Sequence, residues 1–426
     1  MRGRRREAGF GWVQRSPLGA GPPAVPSRRL IEQAASIYRQ LAGTQPGAFL
    51  PDLAGSLNNL SICLAALGRR EEALAAIEQA ADIHRQLADA RPDAFLPDLA
   101  MSLLNLSGRL GDLGRREEAL TAIEQAAGIF RQFADARPDA FLPDLGKALN
   151  NLSNRLGDLG RREEALTVIE QASGIYRRLA DARPDAFRPD LAGALVNLSG
   201  RLTELGRREE ALTAIEQAAG IYSQLADSQP GAFLPRLTGA LLNLSGRLAE
   251  LGGREEALTA IEQAAGIFRK LADARPDLFR PEFALSLNNL SNCLAELGRR
   301  EEALAAIEEA VTIRRQLADA RPDAFLPDLA ASLVNLSNCL AALERREEAL
   351  PVIEQAVGIY RQLVDARPDV FRPEFALSLN NLSGHLAPLG RREEALAAIE
   401  EAVTIRRQLS PVHGPTRSSP TSRCRC

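Results

Sequence analysis

One octapeptide, Leu-Gly-Arg-Arg-Glu-Glu-Ala-Leu, returns along the chain with small variations, its glycine at Gly68, Gly114, Gly160, Gly206, Gly252, Gly298 and Gly390. Every step is 46 residues or a multiple of 46, and the remaining slot holds Glu344. Asn59, Asn105, Asn151, Asn197, Asn243, Asn289, Asn335 and Asn381 keep the same step, as do prolines from Pro51 and Pro97 to Pro373. Eight copies in phase leave little choice of architecture. A short unit that cannot bury its apolar face alone stacks on its neighbours, and the stack becomes a solenoid with one continuous core. The repeat also accommodates 426 residues without a single core larger than the usual limit of about 250–300 residues.

Each copy divides into two helical patterns. In the first copy Leu53, Leu57, Leu60, Leu64 and Leu67 follow steps of four and three, one stripe of a 3.6-residue period. The spacing predicts a first helix from Pro51 to Leu67, with Pro51 and Asp52 in its opening turn and Gly68 as a left-handed cap. A second helix is predicted from about Arg69 to about Ala90, burying Ala73, Ile77, Ala80, His84 and Leu87, with Leu74 and Ile83 beside them. Pro92 is expected to stop it. The link Arg91-Pro-Asp-Ala-Phe-Leu96 then carries Phe95, which recurs in all eight links and is expected to plug the gap between pairs. No segment alternates with period two, so strands are not expected.

The predicted fold is therefore all-α, a right-handed solenoid of stacked antiparallel helix pairs. Residues 27–50 read as an unpaired helix and link, residues 51–410 as eight hairpins, and residues 1–26 and 411–426 as disordered segments rich in Arg, Pro, Gly and Ser. Glu344, Pro351 and Pro388 break the pattern late in the chain, which predicts a bend or loosening after about residue 340.

Composition narrows the chemistry. The 52 Lys plus Arg against 55 Asp plus Glu leave a net charge of −3, so neither nucleic acid nor an anionic membrane is an expected partner. The only lysines are Lys147 and Lys270, a skew that matches high-GC coding. Neither completes a phosphate-binding loop, because Lys147 follows Gly146 but Phe141 stands where the earlier glycine belongs. Three histidines and five widely spaced cysteines without a C-x-x-C pair give no metal pattern and read as reduced thiols in a cytosolic setting. There is no signal-peptide core and no run of about 18 apolar residues for a membrane span. No catalytic set is expected, and no cofactor. Cys424-Arg-Cys426 reads as a tail, not a lipidation signal.

Gly68, Ala73, Ile77 and Ala80, with Leu57, Leu60 and Ser61 upstream, resemble the tetratricopeptide repeat signature, and Leu57-Asn-Asn-Leu-Ser61 is similar to the first helix of kinesin-light-chain-type repeats. The resemblance covers residues 27–410, with units of 46 residues where the standard is 34. It implies a concave groove lined by the first helices that binds a peptide or partner protein, and it is of a kind found in high-GC bacteria beside signalling ATPase or caspase-like domains.

Carried onto this sequence, the groove positions are Gly55, Asn58, Ile62 and Ala65/Ala66 and their equivalents. The Asn59 series, constant in every copy, reads either as an amide ladder for a peptide backbone or as shared architecture, and constancy favours architecture. The position after Asn59 by one turn is Asn154, Asn292 and Asn338 in three copies; in peptide-clamping relatives such an asparagine holds a carboxylate beside lysines, and here only Lys147 stands near enough in sequence to assist Asn154. Asn58, Asn150, Asn288 and Asn380 alternate with Leu104, Val196, Leu242 and Val334, a mosaic suited to an amphipathic segment. Arg109, Arg155, Arg201 and Arg247 each precede an acid by three residues and read as helical ion pairs, with Cys63, Cys293 and Cys339 as small fillers in the same phase. The function expected is a non-enzymatic protein-interaction scaffold. The alternative is a sensor or regulatory part of a larger signalling protein, since the array opens on an unpaired helix and closes without a polar cap. Missing caps also predict end-to-end self-association.

Overall fold

The computed structural model describes residues 28–409, which are helical almost throughout and contain no strand among the described residues. The segments expected to be disordered, with His413, Cys424 and Cys426, lie outside them. Contacts divide the chain into two units, Met1–Leu251 and Gly252–Cys426.

In the first unit, second-type helices α1 (Arg28–Thr44), α3 (Arg70–Ala90), α5 (Arg116–Ala136), α7 (Arg162–Ala182) and α9 (Arg208–Ser228) alternate with first-type helices. Those are α2 (Pro46–Ala66), α4 (Pro92–Asp112), α6 (Pro138–Asp158), α8 (Pro184–Glu204) and α10 (Pro230–Glu250). The second unit continues the alternation with α11 (Arg254–Ala274), α12 (Pro276–Glu296), α13 (Arg300–Ala320) and α14 (Pro322–Ala342). It ends with α15 (Arg346–Ala366), α16 (Pro368–Leu386), a 3-10 turn at Ala387–Leu389 and α17 (Arg392–Leu409). Within each unit every helix packs on the one before and the one after, the arrangement of an all-α solenoid.

The second helices match the sequence expectation: Ala73, Ile77, Ala80, His84 and Leu87 are buried on α3, with Ile83 at the margin. The isoleucines at this phase, from Ile77 to Ile353, are 0% exposed. Alanines one turn either side allow the helices to approach closely. Ser153, Ser199 and Ser291 serve the same approach from the first helices, each donating to the carbonyl of Ala165, Ala211 or Ala303 at 2.8 Å.

The first helices begin five residues earlier than expected. The segment 92–96 is the opening turn of α4, and Arg91 alone (φ −144°, ψ 78°) separates it from α3. Proline explains both readings. Pro92 takes the first helical position, where its fixed φ fits and no N–H is needed, and it holds Arg91 extended. Pro97 then lies inside the helix. Its missing N–H would have met the carbonyl of Asp93, in a turn open to solvent, so the break that an interior proline usually causes does not follow. Asp52, expected at the helix start, becomes the seventh residue of α2. Phe95 is likewise not a plug. It is half-buried, with the Arg91 guanidinium 4.8 Å above its ring, and the pairing recurs at Arg183–Phe187, Arg321–Phe325 and Arg367–Phe371. Only Phe233 and Phe371 of this series are buried outright.

Gly68 caps α2 at φ 75°, with Arg69 N–H donating to Leu64 C=O at 3.0 Å. Glu344 keeps the same bonds at φ 62°, the one described non-glycine residue with positive φ. A Cβ in that region costs about 1–2 kcal/mol, so Glu344→Gly is expected to raise the unfolding free energy by about 1 kcal/mol after the entropy of glycine is subtracted. Urea denaturation checks this; a lower midpoint contradicts it. Of the two late prolines only Pro388 interrupts its helix as expected. Pro351 leaves α15 unbroken, because its ring meets the exposed first-turn carbonyl of Glu347, whereas α16 stops at Leu386 and Pro388 lies in the 3-10 turn.

Among the described residues one helix, α14, is long and apolar enough to cross a membrane, with mean hydropathy 1.2 over 18 residues. It packs between α13 and α15 as a core helix.

Candidate functional site

The motif that reveals the repeat is consumed by packing. Arg115 grips Glu118 through two hydrogen bonds of 2.7 and 2.6 Å and reaches Glu78 of the preceding second helix at 3.8 Å. Arg207 repeats this with Glu210 and Glu170, and Arg391 with Glu394 and Glu354. The next arginine crosses to the end of a first helix: Arg116 donates to Asp158 C=O at 3.1 Å and Arg300 to Ala342 C=O at 3.0 Å. The second arginine row is paired as expected, Arg109–Asp112 at 3.1 Å and Arg155–Asp158, Arg201–Glu204 and Arg247–Glu250 at 2.9 Å. Arg155 and Arg201 lie over Gly111 and Gly157 of the preceding copy, where an added Cβ would fall 2.0 and 1.7 Å from a guanidinium nitrogen. Cys63 is buried at this phase, and Cys339 sits 3.6 Å from Ser291 Oγ.

In three copies the constant asparagine is also architectural, through an amide of the preceding copy. Asn105 Nδ2 donates to Asn58 Oδ1 at 2.9 Å, Asn197 to Asn150 at 3.0 Å, and Asn335 to Asn288 at 3.1 Å. Each bond runs from one copy to the copy before. Three of the candidate groove residues, Asn58, Asn150 and Asn288, thus accept repeat-to-repeat hydrogen bonds. Where the mosaic has Leu104 or Val334, that side chain is buried instead. Asn380 occupies the same position in the last copy, half-buried and without a hydrogen bond among the described residues.

The remaining candidates lie on the face of the first helices that such bonds leave open. Along α6 this face reads Asp144, Lys147, Asn151 and Asn154, steps of three, four and three. Lys147, Asn292 and Asn338 are exposed and Asn154 is half-buried; none of the three asparagines has a side-chain hydrogen bond among the described residues. Lys147 and Asn154 are seven residues apart, about two helical turns, and the lysine's field falls on Asp144 and on Asp190 of the next copy.

Those carboxylates are what sequence reasoning missed. Burial pushes the Asp144 and Asp190 carboxyls above their ordinary range, and Lys147, with Arg236 for Asp190, offsets part of the rise. Asp98 is raised by burial too. The signal was in the sequence: Asp52, Asp98, Asp144, Asp190, Glu282, Asp328 and Glu374 share one phase, broken by Arg236. A helix starting at Pro51 would make Asp52 a first-turn residue, whereas the start at Pro46 places it a turn and a half further in. Behind this row Tyr176 is buried, and desolvation with the charges of Asp190 and Asp144 raises its phenol.

His84 occupies the tyrosine's phase in the first hairpin, its Nδ1 2.8 Å from Ser102 Oγ, and burial lowers its pKa to about 4. The unfolded imidazole titrates near 6.5, so between pH 6.5 and 4 the unfolded chain binds a proton that the folded chain refuses. Stability is expected to fall with acidification through that window, by about 2 kcal/mol at pH 5 from this group. His84→Phe, the residue type of Phe130 and Phe268, is expected to remove that part of the slope in urea titrations at pH 7 and 5; an unchanged slope contradicts it.

Comparison with known proteins agrees with this anatomy. Tetratricopeptide repeat family models match residues 282–362 and residues 53–92, 145–184 and 375–415. A model of anaphase-promoting complex subunit 5 matches residues 97–138 and 222–276. No protein of curated function matches the sequence. Among solved structures, the chain is similar to a Signal Transduction ATPase with Numerous Domains protein with a tetratricopeptide repeat sensor from Pyrococcus horikoshii, at 12% identity and TM-score 0.54, covering 88% of this chain and 52% of that one. It is also similar to BtubC (BKLC) from P. vanneervenii, at 20% identity and TM-score 0.48, covering 62% of this chain and 98% of that one. A Podosopora anserina putative kinesin light chain with nearly identical TPR-like repeats matches at 22% identity and TM-score 0.41, over 52% of this chain and 97% of that one. With the repeat models matched across both units and the helix pairs packed in succession, the chain is a tetratricopeptide-repeat protein built on a 46-residue unit.

Proposed function

We propose that this protein is a non-enzymatic interaction scaffold whose first-helix face binds a segment of a partner protein carrying basic and hydrogen-bonding side chains. One observation carries the reading. The constant Asn105, Asn197 and Asn335 are engaged in bonds between copies, whereas Lys147, Asn154, Asn292 and Asn338 vary between copies and have no internal side-chain hydrogen bond among the described residues. In the first unit Asp144 and Asp190 lie in the field of Lys147, and desolvated carboxylates gain from a cation brought close. Asn380 shares the phase of Asn58, Asn150 and Asn288, which accept bonds from the following copy, and so stands apart from this face.

A peptide array of random sequences, probed with the purified chain, tests the proposal. Bound sequences are expected to be rich in Arg and Lys, and Asp144→Asn with Asp190→Asn is expected to abolish that preference. Asn154→Ala with Asn292→Ala and Asn338→Ala is expected to weaken binding while leaving the fold intact. Selection of acidic sequences, or binding indifferent to both sets, would refute it.

A sensor or regulatory role within a larger signalling protein is the second reading, supported by the likeness in fold to the Pyrococcus horikoshii protein, which carries a repeat sensor.

A further inference from the structure

The second unit furnishes the first-helix face with side chains that the first unit lacks. The stripe that runs along α6 as Ala140, Asp144, Lys147 and Asn151 recurs on α12 as Leu278, Glu282, Leu285 and Asn289. Helix α16 carries it as Val370, Glu374, Leu377 and Asn381, whereas α14, between them, has alanines 324 and 331 on either side of Asp328. In the first five copies the position of Leu278 is always alanine, and that of Leu285 is glycine three times, Met101 once and Lys147 once. Leu278, Leu285, Val370 and Leu377 are 57%, 42%, 54% and 52% exposed, and Ala324 and Ala331 are exposed as well.

Helix α14 touches α12 on one side and α16 on the other. The three stripes therefore make a trough, with alanines on its floor and an apolar ridge along each wall. Helices in contact lie about 8–10 Å apart, which sets the ridges at most about 20 Å from one another. One helix, about 10–12 Å across with its side chains, fits that width. Leu278 and Leu285 are seven residues apart, two turns or about 10 Å, which matches residues i and i+7 on the apolar stripe of a docked helix. Charge completes the description of the occupant. Glu282 and Glu374 are exposed and make no ion pair among the described residues, and Asp328 has the buried Arg314 behind it. The one arginine of α12, Arg280, donates to Gln316 of α13 at 3.1 Å instead. Burial raises the Tyr360 phenol of α15, and the charges of Glu374 and Asp328 add to the rise, so carboxylates of neighbouring first helices converge on one side chain.

We infer that the trough over α12, α14 and α16 is a docking site for a basic amphipathic helix of a partner protein. Its apolar residues, at i, i+3 or i+4 and i+7, lie between the two ridges, and its Lys or Arg residues meet Glu282, Asp328 and Glu374. The site rests on the scaffold role proposed above, to which it adds a conformation of the partner segment and apolar anchors in the second unit.

The probe is a labelled peptide of about 18 residues, or five helical turns, with one leucine stripe and lysines on the remaining surface. Three companions accompany it: the same composition with the stripe scrambled, the striped peptide with a central Pro-Pro, and the striped peptide with glutamates for lysines. By fluorescence anisotropy with the intact chain, the striped basic peptide is expected to bind saturably and about tenfold tighter than any companion. Leu285→Asn with Leu377→Asn is expected to weaken it about tenfold, and Glu282→Gln with Glu374→Gln severalfold. These side chains are exposed, so circular dichroism and the thermal midpoint of both variants are expected to match the parent. Asp144→Asn with Asp190→Asn, in the first unit, is expected to leave this binding unchanged. Equal binding of the scrambled or proline peptide, or binding untouched by Leu285→Asn with Leu377→Asn, overturns the helix site. So does self-association of the chain that Leu285→Asn with Leu377→Asn abolishes, which makes a second copy the occupant. Failure of the striped peptide while the random array still selects basic sequences overturns this site alone; failure of both refutes the scaffold role too.

Discussion

Arg314→Ala is expected to lower the unfolding free energy by about 3 kcal/mol. The side chain is 5% exposed and ties three helices together: it stems from α13, donates to α14 at Asp328 C=O and Ser332 Oγ, and through Ser332 reaches Asn288 of α12. Burial makes its guanidinium less basic, and the charge of Asp328 counters that only in part. Alanine would leave a void and remove the donor from the part-buried Asp328 carbonyl and the buried Ser332 hydroxyl, the latter then bearing a desolvation penalty of about 1–3 kcal/mol unless water enters. Arg314→Tyr separates the contributions. Tyr176, Tyr222 and Tyr360 hold the equivalent position in other copies and are buried there. An aromatic side chain with one hydroxyl restores the volume and a donor without burying a charge, so the tyrosine variant is expected to lose less than about 1.5 kcal/mol. Urea denaturation of both variants checks the pair, and an alanine variant within 1 kcal/mol of the parent would contradict the role given to this network.

Ile169→Ala is expected to cost about 4 kcal/mol. Ile169 is 0% exposed, and Ala165 and Ala172, one turn before and after it, are 0% exposed as well. Alanine neighbours have no rotamers with which to fill a cavity, so the site collapses poorly and the cavity cost adds fully to the lost transfer free energy. Leu396→Ala on the open face of α17 is the internal control, expected to change stability by less than about 0.5 kcal/mol. A similar loss at the two positions, by denaturation or thermal midpoint, would contradict the assignment of the core.

Much of this architecture was legible in the residues. The 46-residue phase gave the number of hairpins, the stripe of Ala73, Ile77 and Ala80 gave the buried face of the second helices, and the glycine series gave the left-handed caps. The first helices were misjudged at their starts because two prolines, five residues apart, both qualify for the first turn. Sequence alone does not say that the carbonyl facing Pro97 lies in solvent. That error moved the aspartate series from an interior face to a helix start and hid it as a site. The amide bridges were hidden for another reason. Asn58 and Asn105 lie 47 residues apart and meet only because the stacking offset places consecutive first helices side by side. The Arg314 network has the same character, for its members come from three helices and no local pattern joins them.

The proposed division of labour runs along the first helices: the constant Asn105, Asn197 and Asn335 hold consecutive copies together, and the variable amides are left for a partner. Urea denaturation of two triple variants tests this most directly. Asn105→Ala with Asn197→Ala and Asn335→Ala removes three bonds between copies and is expected to cost about 3 kcal/mol, near 1 kcal/mol for each. Asn154→Ala with Asn292→Ala and Asn338→Ala removes three outward amides and is expected to leave the midpoint within the small range of surface substitutions, about 0.5 kcal/mol each at most. Equal losses from the two sets, or a larger loss from the second, would contradict the account.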